Sequence, residues 1–208
     1  MKTELLFILD RSGSMGGLET DTIGGFNSLL EKQRKLEGYA TVTTLLFDHE
    51  IEVLHDRLSL EEVAPITEGD YFVRGTTALL DAIGYGIHKI RNVKKNKMYV
   101  ETKVLVVITT DGMENASTEF KRHQIRSLIE EQKSLGWEFL FLGANIDAIA
   151  TAEQFGIHRD YAVNYHADKQ GTELNFASIN EAVSSVRSGR KVSREWKKAV
   201  EQDFQSRF

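Results

Sequence analysis

The residues best suited to chemistry lie in three short stretches. Asp10-Arg11-Ser12-Gly13-Ser14-Met15 sets an acid and two hydroxyls at alternate positions directly after the apolar run Leu5–Leu9. Gly75-Thr76-Thr77-Ala78-Leu79 offers a hydroxyl just ahead of a helical pattern, and Thr109-Thr110-Asp111-Gly112 offers an acid just after a second apolar run. These are hard oxygen donors, which suit Mg²⁺, Mn²⁺ or Ca²⁺ better than Zn²⁺. The carboxylates of Asp10 and Asp111 nearly balance a divalent charge, and the hydroxyls of Ser12, Ser14 and Thr77 add ligands without charge. Mg²⁺ demands octahedral oxygen coordination. These protein groups, some acting through water, therefore leave a position for an acidic ligand from outside.

Other chemistries find less support. The chain has no cysteine, which removes disulfides, thiolate metal sites and cysteine nucleophiles. Its six histidines show neither His-Glu-x-x-His nor close paired spacing. Arg11-Ser12-Gly13-Ser14 lacks the leading glycine of a nucleophile elbow, and no G-x-x-x-x-G-K-[ST] phosphate loop occurs. Asp10 as the aspartate of a Mg²⁺-dependent phosphoryl-transfer or hydrolytic enzyme is the rival reading. Enzymes of the haloacid-dehalogenase kind want an acid two residues later, where Ser12 stands.

The elements that must position these groups follow from periodicity. Leu5–Leu9 and Val104–Ile108 are continuously apolar, as strands covered on both faces are. Further strands are expected at Ala40–Phe47, Ile51–His55, Trp137–Leu142 and Tyr161–Tyr165. The link Asp48-His49-Glu50 is so short that it allows only an antiparallel hairpin, which places Ile51–His55 at the sheet edge. Helices are expected over Thr22–Leu36, with Ile23, Phe26, Leu29, Leu30 and Leu36 inward and a stop at Gly38. Others are expected over Leu60–Ala64, ended by Pro65, and from Leu79 through Ile83, Ile87, Ile90 and Val93 to the basic run Lys94-Lys95-Asn96-Lys97. More follow from after Ser117 to Ser134, with Ile125, Leu128 and Ile129 inward, and over Ala148–Phe155 and Leu174–Val186. Ser193–Phe208 reads as an amphipathic helix carrying Trp196, Val200 and Phe204, docked or frayed, with a contact surface for a partner or an acidic segment as the alternative. This alternation predicts an α/β fold: a doubly wound, mostly parallel six-stranded sheet with helices on both faces. In such sheets ligands sit beyond the carboxyl ends of the strands where the strand order reverses. Asp10 and Asp111 converge there if their strands are neighbours.

At 208 residues, with 41% hydrophobic and 27% charged, the chain is long enough for one well-buried domain. A net charge of −5 argues against a general nucleic-acid partner. No apolar run approaches a membrane span of about 20 residues, and the N-terminal strand is too short for a signal-peptide core. A cytoplasmic protein is expected.

In combination, Asp10-x-Ser12-x-Ser14, Thr77 ahead of the major helix and the late Thr110-Asp111-Gly112 resemble the metal-ion-dependent adhesion site of von Willebrand factor type A domains. The resemblance covers about residues 3–187 and leaves 188–208 as a basic, helical extension. Gly75-Thr76-Thr77-Ala78-Leu79-Leu80-Asp81-Ala82-Ile83 matches the family's G-G-T-x-L-x-D-A-I run in the register that selects Thr77 over Thr76. The resemblance implies a Rossmann-like sheet with one antiparallel edge strand and no catalysis. It also implies direct metal ligation by Ser12, Ser14 and Thr77, with Asp10 and Asp111 direct or through water. The cation it implies is Mg²⁺ first, then Mn²⁺ or Ca²⁺. The function implied is that of a metal-dependent protein-binding module, whose protein partner completes the coordination with an Asp or Glu. An assembly subunit whose site is filled by a neighbouring copy is a third reading. The short form without cysteines is similar to bacterial or phage intracellular members. Beside these ligands, Asn115 reads as a loop hydrogen-bonding residue, Asn145 and Asp147 as helix caps, and Asp48 as a hairpin-turn residue. Tyr71, Phe72 and Arg74 read as loop packing.

Overall fold

The computed structural model describes residues 2–94 and 102–207. The strands are β1 (Lys2–Asp10), β2 (Tyr39–Phe47), β3 (Ile51–Ser59), β4 (Thr102–Thr110), β5 (Glu138–Gly143) and β6 (Ala162–Asn164). The helices are α1 (Glu19–Arg34), α2 (Leu79–Lys94), α3 (Arg122–Ser134), α4 (Ala148–Gln154), α5 (Lys169–Arg187) and α6 (Lys198–Ser206). The sheet order is β3-β2-β1-β4-β5-β6. β1 pairs in parallel with β2 and with β4, the pairs β4–β5 and β5–β6 are also parallel, and only the hairpin partner β3 runs antiparallel, at the edge.

The continuous apolar runs have the physical cause expected of them. Leu5, Phe7 and Leu9 of β1 enter a core with α1, α5 and α6, while Leu6 and Ile8 enter a second core with α2, α3 and α4. β4 divides likewise, Leu105 and Val107 to the first core and Val104, Val106 and Ile108 to the second. A strand buried on both faces has no polar side to alternate with. Strand order reverses between β1 and β4, so their carboxyl ends open the crevice in which Asp10 and Asp111 meet. Among the described residues no helix is long and apolar enough to cross a membrane.

Several boundaries differ from expectation for local reasons. Leu60–Ala64 is a turn rather than a helix. It holds the turn bond Glu62 N–H to Ser59 O (2.8 Å), Pro65 blocks extension, and Leu60, Val63 and Ile66 turn into the core instead. α3 starts at Arg122 rather than just after Ser117, because the Asp81 carboxylate accepts the amides of Thr118 (2.8 Å), Glu119 (3.1 Å) and Phe120 (2.8 Å) and holds them as a loop. α5 starts five residues before Leu174, where the Asp168 side chain caps the Gly171 amide (2.7 Å). Leu36, expected inward, lies beyond the end of α1 and is 41% exposed. The α1 end is instead closed by Arg187 of α5, which donates to the carbonyls of Gln33, Leu36 and Gly38. The inward Val93 side chain and the basic run Lys94-Lys95-Asn96-Lys97 expected at the end of α2 lie outside the described residues and side chains.

The segment after α5 is docked. Val192, Trp196 and Val200 are buried in the same core as α1 and α5. The Trp196 indole donates to Asp160 O (2.9 Å). Lys197, 2% exposed, donates to the carbonyls of Arg159 and Ala162 beside β6.

Candidate functional site

All five expected oxygen ligands come together at the switch point. β1 ends at Asp10, a tight 3₁₀ turn over Gly13–Met15 follows, and Ser12 and Ser14 are brought side by side, their hydroxyls 3.2 Å apart. Thr77, immediately ahead of α2, donates from Oγ1 to Ser12 Oγ at 3.0 Å. Ser14 Oγ donates to Asp111 Oδ1 at 2.5 Å. Asp10 is held by the Ser12 amide (2.7 Å) and by Thr110 Oγ1 (2.5 Å). Thr77 is buried and Thr76 exposed, so the hydroxyl in the cluster is that of the residue selected by register. Close approach is needed at Gly112. A Cβ on Gly112 would stand 2.9 Å from Thr77 Oγ1 and 3.0 Å from Ser14 Oγ, whereas one on Gly13 would meet nothing nearer than 3.4 Å.

The site carries more negative charge than it can solvate. Asp10 and Asp111 are 1% and 2% exposed. Burial pushes the Asp10 carboxyl above the usual carboxylate range against the hydrogen bonds of Thr110 and Ser12. Burial, with the neighbouring Asp10 charge, pushes Asp111 up to about 6. The second oxygen of Asp111, Oδ2, is buried and has no hydrogen-bond partner. Leaving a buried carboxylate oxygen unpaired costs about 1–3 kcal/mol or more. A cation bound among these oxygens removes both penalties, so the donor set fits a hard divalent ion. Both oxygens of Asp10 accept hydrogen bonds, Oδ1 from the Ser12 amide and Oδ2 from Thr110.

Around the ligands lies a shell that was mostly invisible in the sequence. Tyr71 is buried and its hydroxyl donates to the Asp10 carbonyl. Arg11, between two ligands, is fully buried and donates to Asp48 Oδ2 (2.9 Å) and to Glu52 (2.7 Å). Arg74 reaches the same Asp48 oxygen (2.9 Å) and Glu50 (2.8 Å), and the Phe72 ring has both guanidinium groups within 5.6 Å of its centroid. Asn115 Oδ1 accepts the Thr77 amide (2.8 Å), and Asn115 N–H returns to the Thr77 carbonyl (3.0 Å). Glu114 caps the Leu80 amide at the start of α2 (2.8 Å). Asp147 caps α4 through Ala150 (3.0 Å). Asn145, expected as a cap, is instead an exposed residue with a φ of 54°.

Asp48, His49 and Glu50 form another group of metal-ligand types, their donor atoms within 4.8 Å of one another. Arginine already occupies that role there: Asp48 Oδ2 accepts from Arg11 and Arg74, and Glu50 accepts from Arg74. The acids are charge-balanced, in contrast to the cluster at Asp10 and Asp111.

No family model matches the chain, and no curated protein matches it in sequence. Solved structures do match in fold. Proximal thread matrix protein 1 from the mussel byssus aligns with a TM-score of 0.61 at 15% identity, over 89% of this chain and 46% of that one. The same matrix protein with a zinc-occupied MIDAS motif aligns at 0.58 and 12% identity, over 88% and 46%. Manganese-loaded TRAP protein from Plasmodium vivax aligns at 0.56 and 15% identity, over 84% and 73%. The chain thus spans less than half the length of the matrix protein it matches. Six strands in this order, one antiparallel edge and helices on both faces give the chain the von Willebrand factor type A fold.

Proposed function

We propose that the chain is a metal-dependent protein-binding module in which Asp10, Ser12, Ser14, Thr77 and Asp111 hold one divalent cation, Mg²⁺ first among the hard ions. The observation that carries this reading is the buried, partnerless Oδ2 of Asp111, next to three clustered hydroxyls and a second buried carboxylate. When bound, the cation offers an electrophilic coordination position to a carboxylate from another protein. The chain's own groups fix the rest. The backbone amide of Ser12 and the hydroxyl of Thr110 orient Asp10, and Asn115 fixes Thr77. Uncharged hydroxyls keep the site short of full neutralisation, which favours an incoming acid. The mussel matrix protein with a zinc-occupied MIDAS motif and the manganese-loaded TRAP protein share this fold, which supports a metal-binding reading.

Titration calorimetry with MgCl₂ or MnCl₂ tests the reading. The unaltered chain is expected to bind one ion, and Asp10→Ala and Asp111→Ala are expected to lose that binding while circular dichroism shows an intact fold. Unchanged affinity in both variants would overturn it.

A further inference from the structure

We propose that Asp48 is a positioning residue that sets the spacing of the two hydroxyl-bearing loops of the metal site. The inference rests on the metal reading above and goes beyond its ligand set. Asp48 closes the β2–β3 hairpin, outside both loops, yet it is bonded to each. Its Oδ2 accepts from Arg11 Nε and Arg74 Nε, both at 2.9 Å. Arg11 lies between Asp10 and Ser12, and Arg74 three residues before Thr77. Its main-chain carbonyl accepts the amide of Ala78, the residue after Thr77, at 2.8 Å. Its Oδ1 accepts the Glu50 amide at 2.9 Å, which locks the carboxylate in place. The loops it joins also bond directly, Arg74 N–H to Arg11 O (2.9 Å) and Gly13 N–H to Gly75 O (3.2 Å). Across that seam Thr77 Oγ1 stands 3.0 Å from Ser12 Oγ.

The Arg11–Asp48 pair is fully buried, both side chains at 0% exposure. A buried ion pair is weak evidence for stability, because desolvation offsets its attraction. One oxygen shared by two arginines from two ligand loops instead defines a distance. Groups that orient metal ligands without touching the metal typically affect affinity about 10–100-fold.

The test is calorimetric titration of Mg²⁺ into the full chain and into Asp48→Asn, Arg74→Gln and Lys89→Gln. Lys89→Gln removes a comparable ion pair far from the site, Lys89–Asp56 at 2.8 Å. Positioning predicts that Asp48→Asn and Arg74→Gln both bind Mg²⁺ about tenfold more weakly, and that Lys89→Gln binds as the unaltered chain does. A mere electrostatic field predicts opposite signs: loss of the Arg74 cation tightens Mg²⁺ and loss of the Asp48 anion weakens it. Should Asp48→Asn fail to fold, Arg74→Gln still decides, because it alters a side chain 39% exposed and leaves the Arg11–Asp48 pair in place. An Arg74→Gln affinity equal to or tighter than that of the unaltered chain overturns the proposal. Absence of Mg²⁺ binding by the unaltered chain overturns the metal reading and this inference together, which sets it apart from failure of the clamp alone.

Discussion

At Gly112 the missing side chain matters as much as any ligand. An added methyl would press on Thr77 Oγ1 at 2.9 Å and on Ser14 Oγ at 3.0 Å, closer than carbon and oxygen sit without movement. The backbone there does not need glycine for its dihedral angles, since Gly112 is not among the residues with positive φ. Gly112→Ala therefore isolates crowding of the hydroxyls. Overpacking of this kind costs about 1–3 kcal/mol, which as lost affinity is roughly tenfold to a hundredfold. All five proposed ligands stay in place, and circular dichroism is expected to show the fold retained. Gly13→Ala, whose Cβ finds 3.4 Å of room, is the matched control and is expected to bind Mg²⁺ as before. Equal affinity in the two variants would show that the three hydroxyls do not line the cation site. The candidate ligands were legible in the sequence because each sits in a short motif, beside an apolar run or, for Thr77, ahead of a helical pattern. Gly112 was legible only as part of Thr110-Asp111-Gly112, since its contacts are with Ser14 and Thr77, residues of two other loops.

The β2–β3 hairpin shows what local pattern could not reveal. Its strands and antiparallel turn were readable from β-branched content and the short link. Its chemistry was not, because the bonds of Asp48 to Arg11 and Arg74 span 37 and 26 positions and exist only once the sheet has formed. The same holds for Asp81, whose grip on amides 37–39 positions away shortens α3. The start of α5 was hidden by its polar first turn, Lys169-Gln170-Gly171, which has no apolar period to detect. The hairpin also carries a titratable weak point. His55 on β3 is 5% exposed and its Nδ1 lies 3.0 Å from Thr44 Oγ1. Burial holds its pKa below the usual histidine value, against the Ala64 carbonyl and the Asp70 charge. A base whose folded pKa is depressed stays neutral in the folded chain while the unfolded chain takes up a proton near pH 6.5. Stability is thus unaffected by His55 above that pH and falls as pH drops below it, towards the depressed folded value. Without metal, Asp10 and Asp111, held above the usual carboxylate range, contribute with the opposite sign as pH falls, so the His55 effect is read as a difference. In urea unfolding in EDTA between pH 8 and pH 5, His55→Gln is expected to lose less stability towards pH 5 than the unaltered chain. Equal loss in the two chains would remove His55 as its source.

Over the whole molecule, the two edges of the sheet are managed differently. On one side β3 is a long edge strand with charged residues. On the other, β6 is only three residues long, Ala162–Asn164, and the segment after α5 lies against it. Lys197 donates to Ala162 O (2.8 Å) and Arg159 O (2.7 Å) and pairs with Glu201 (2.8 Å). A buried lysine with this many oxygen partners closes carbonyls that would otherwise be open to pairing with another chain. Trp196 and Val200, 5% and 1% exposed, complete the core formed by α1, α5 and the sheet. The basic character of this stretch is therefore partly internal, and it acts as a wall at the β6 edge of the sheet. Trp196→Ala is expected to lower unfolding stability by about 3–5 kcal/mol, measured by urea denaturation. Ending the chain after Ser188 is expected to leave β6 uncovered and to produce concentration-dependent association in light scattering. The proposed cation ligands sit on loops after β1 and β4 and, for Thr77, just ahead of α2, and their hydrogen bonds do not reach this segment. Trp196→Ala should consequently keep its Mg²⁺ affinity wherever circular dichroism shows it folded. A shortened chain as stable and as monomeric as the full one would show instead that the extension merely rests on a domain complete without it.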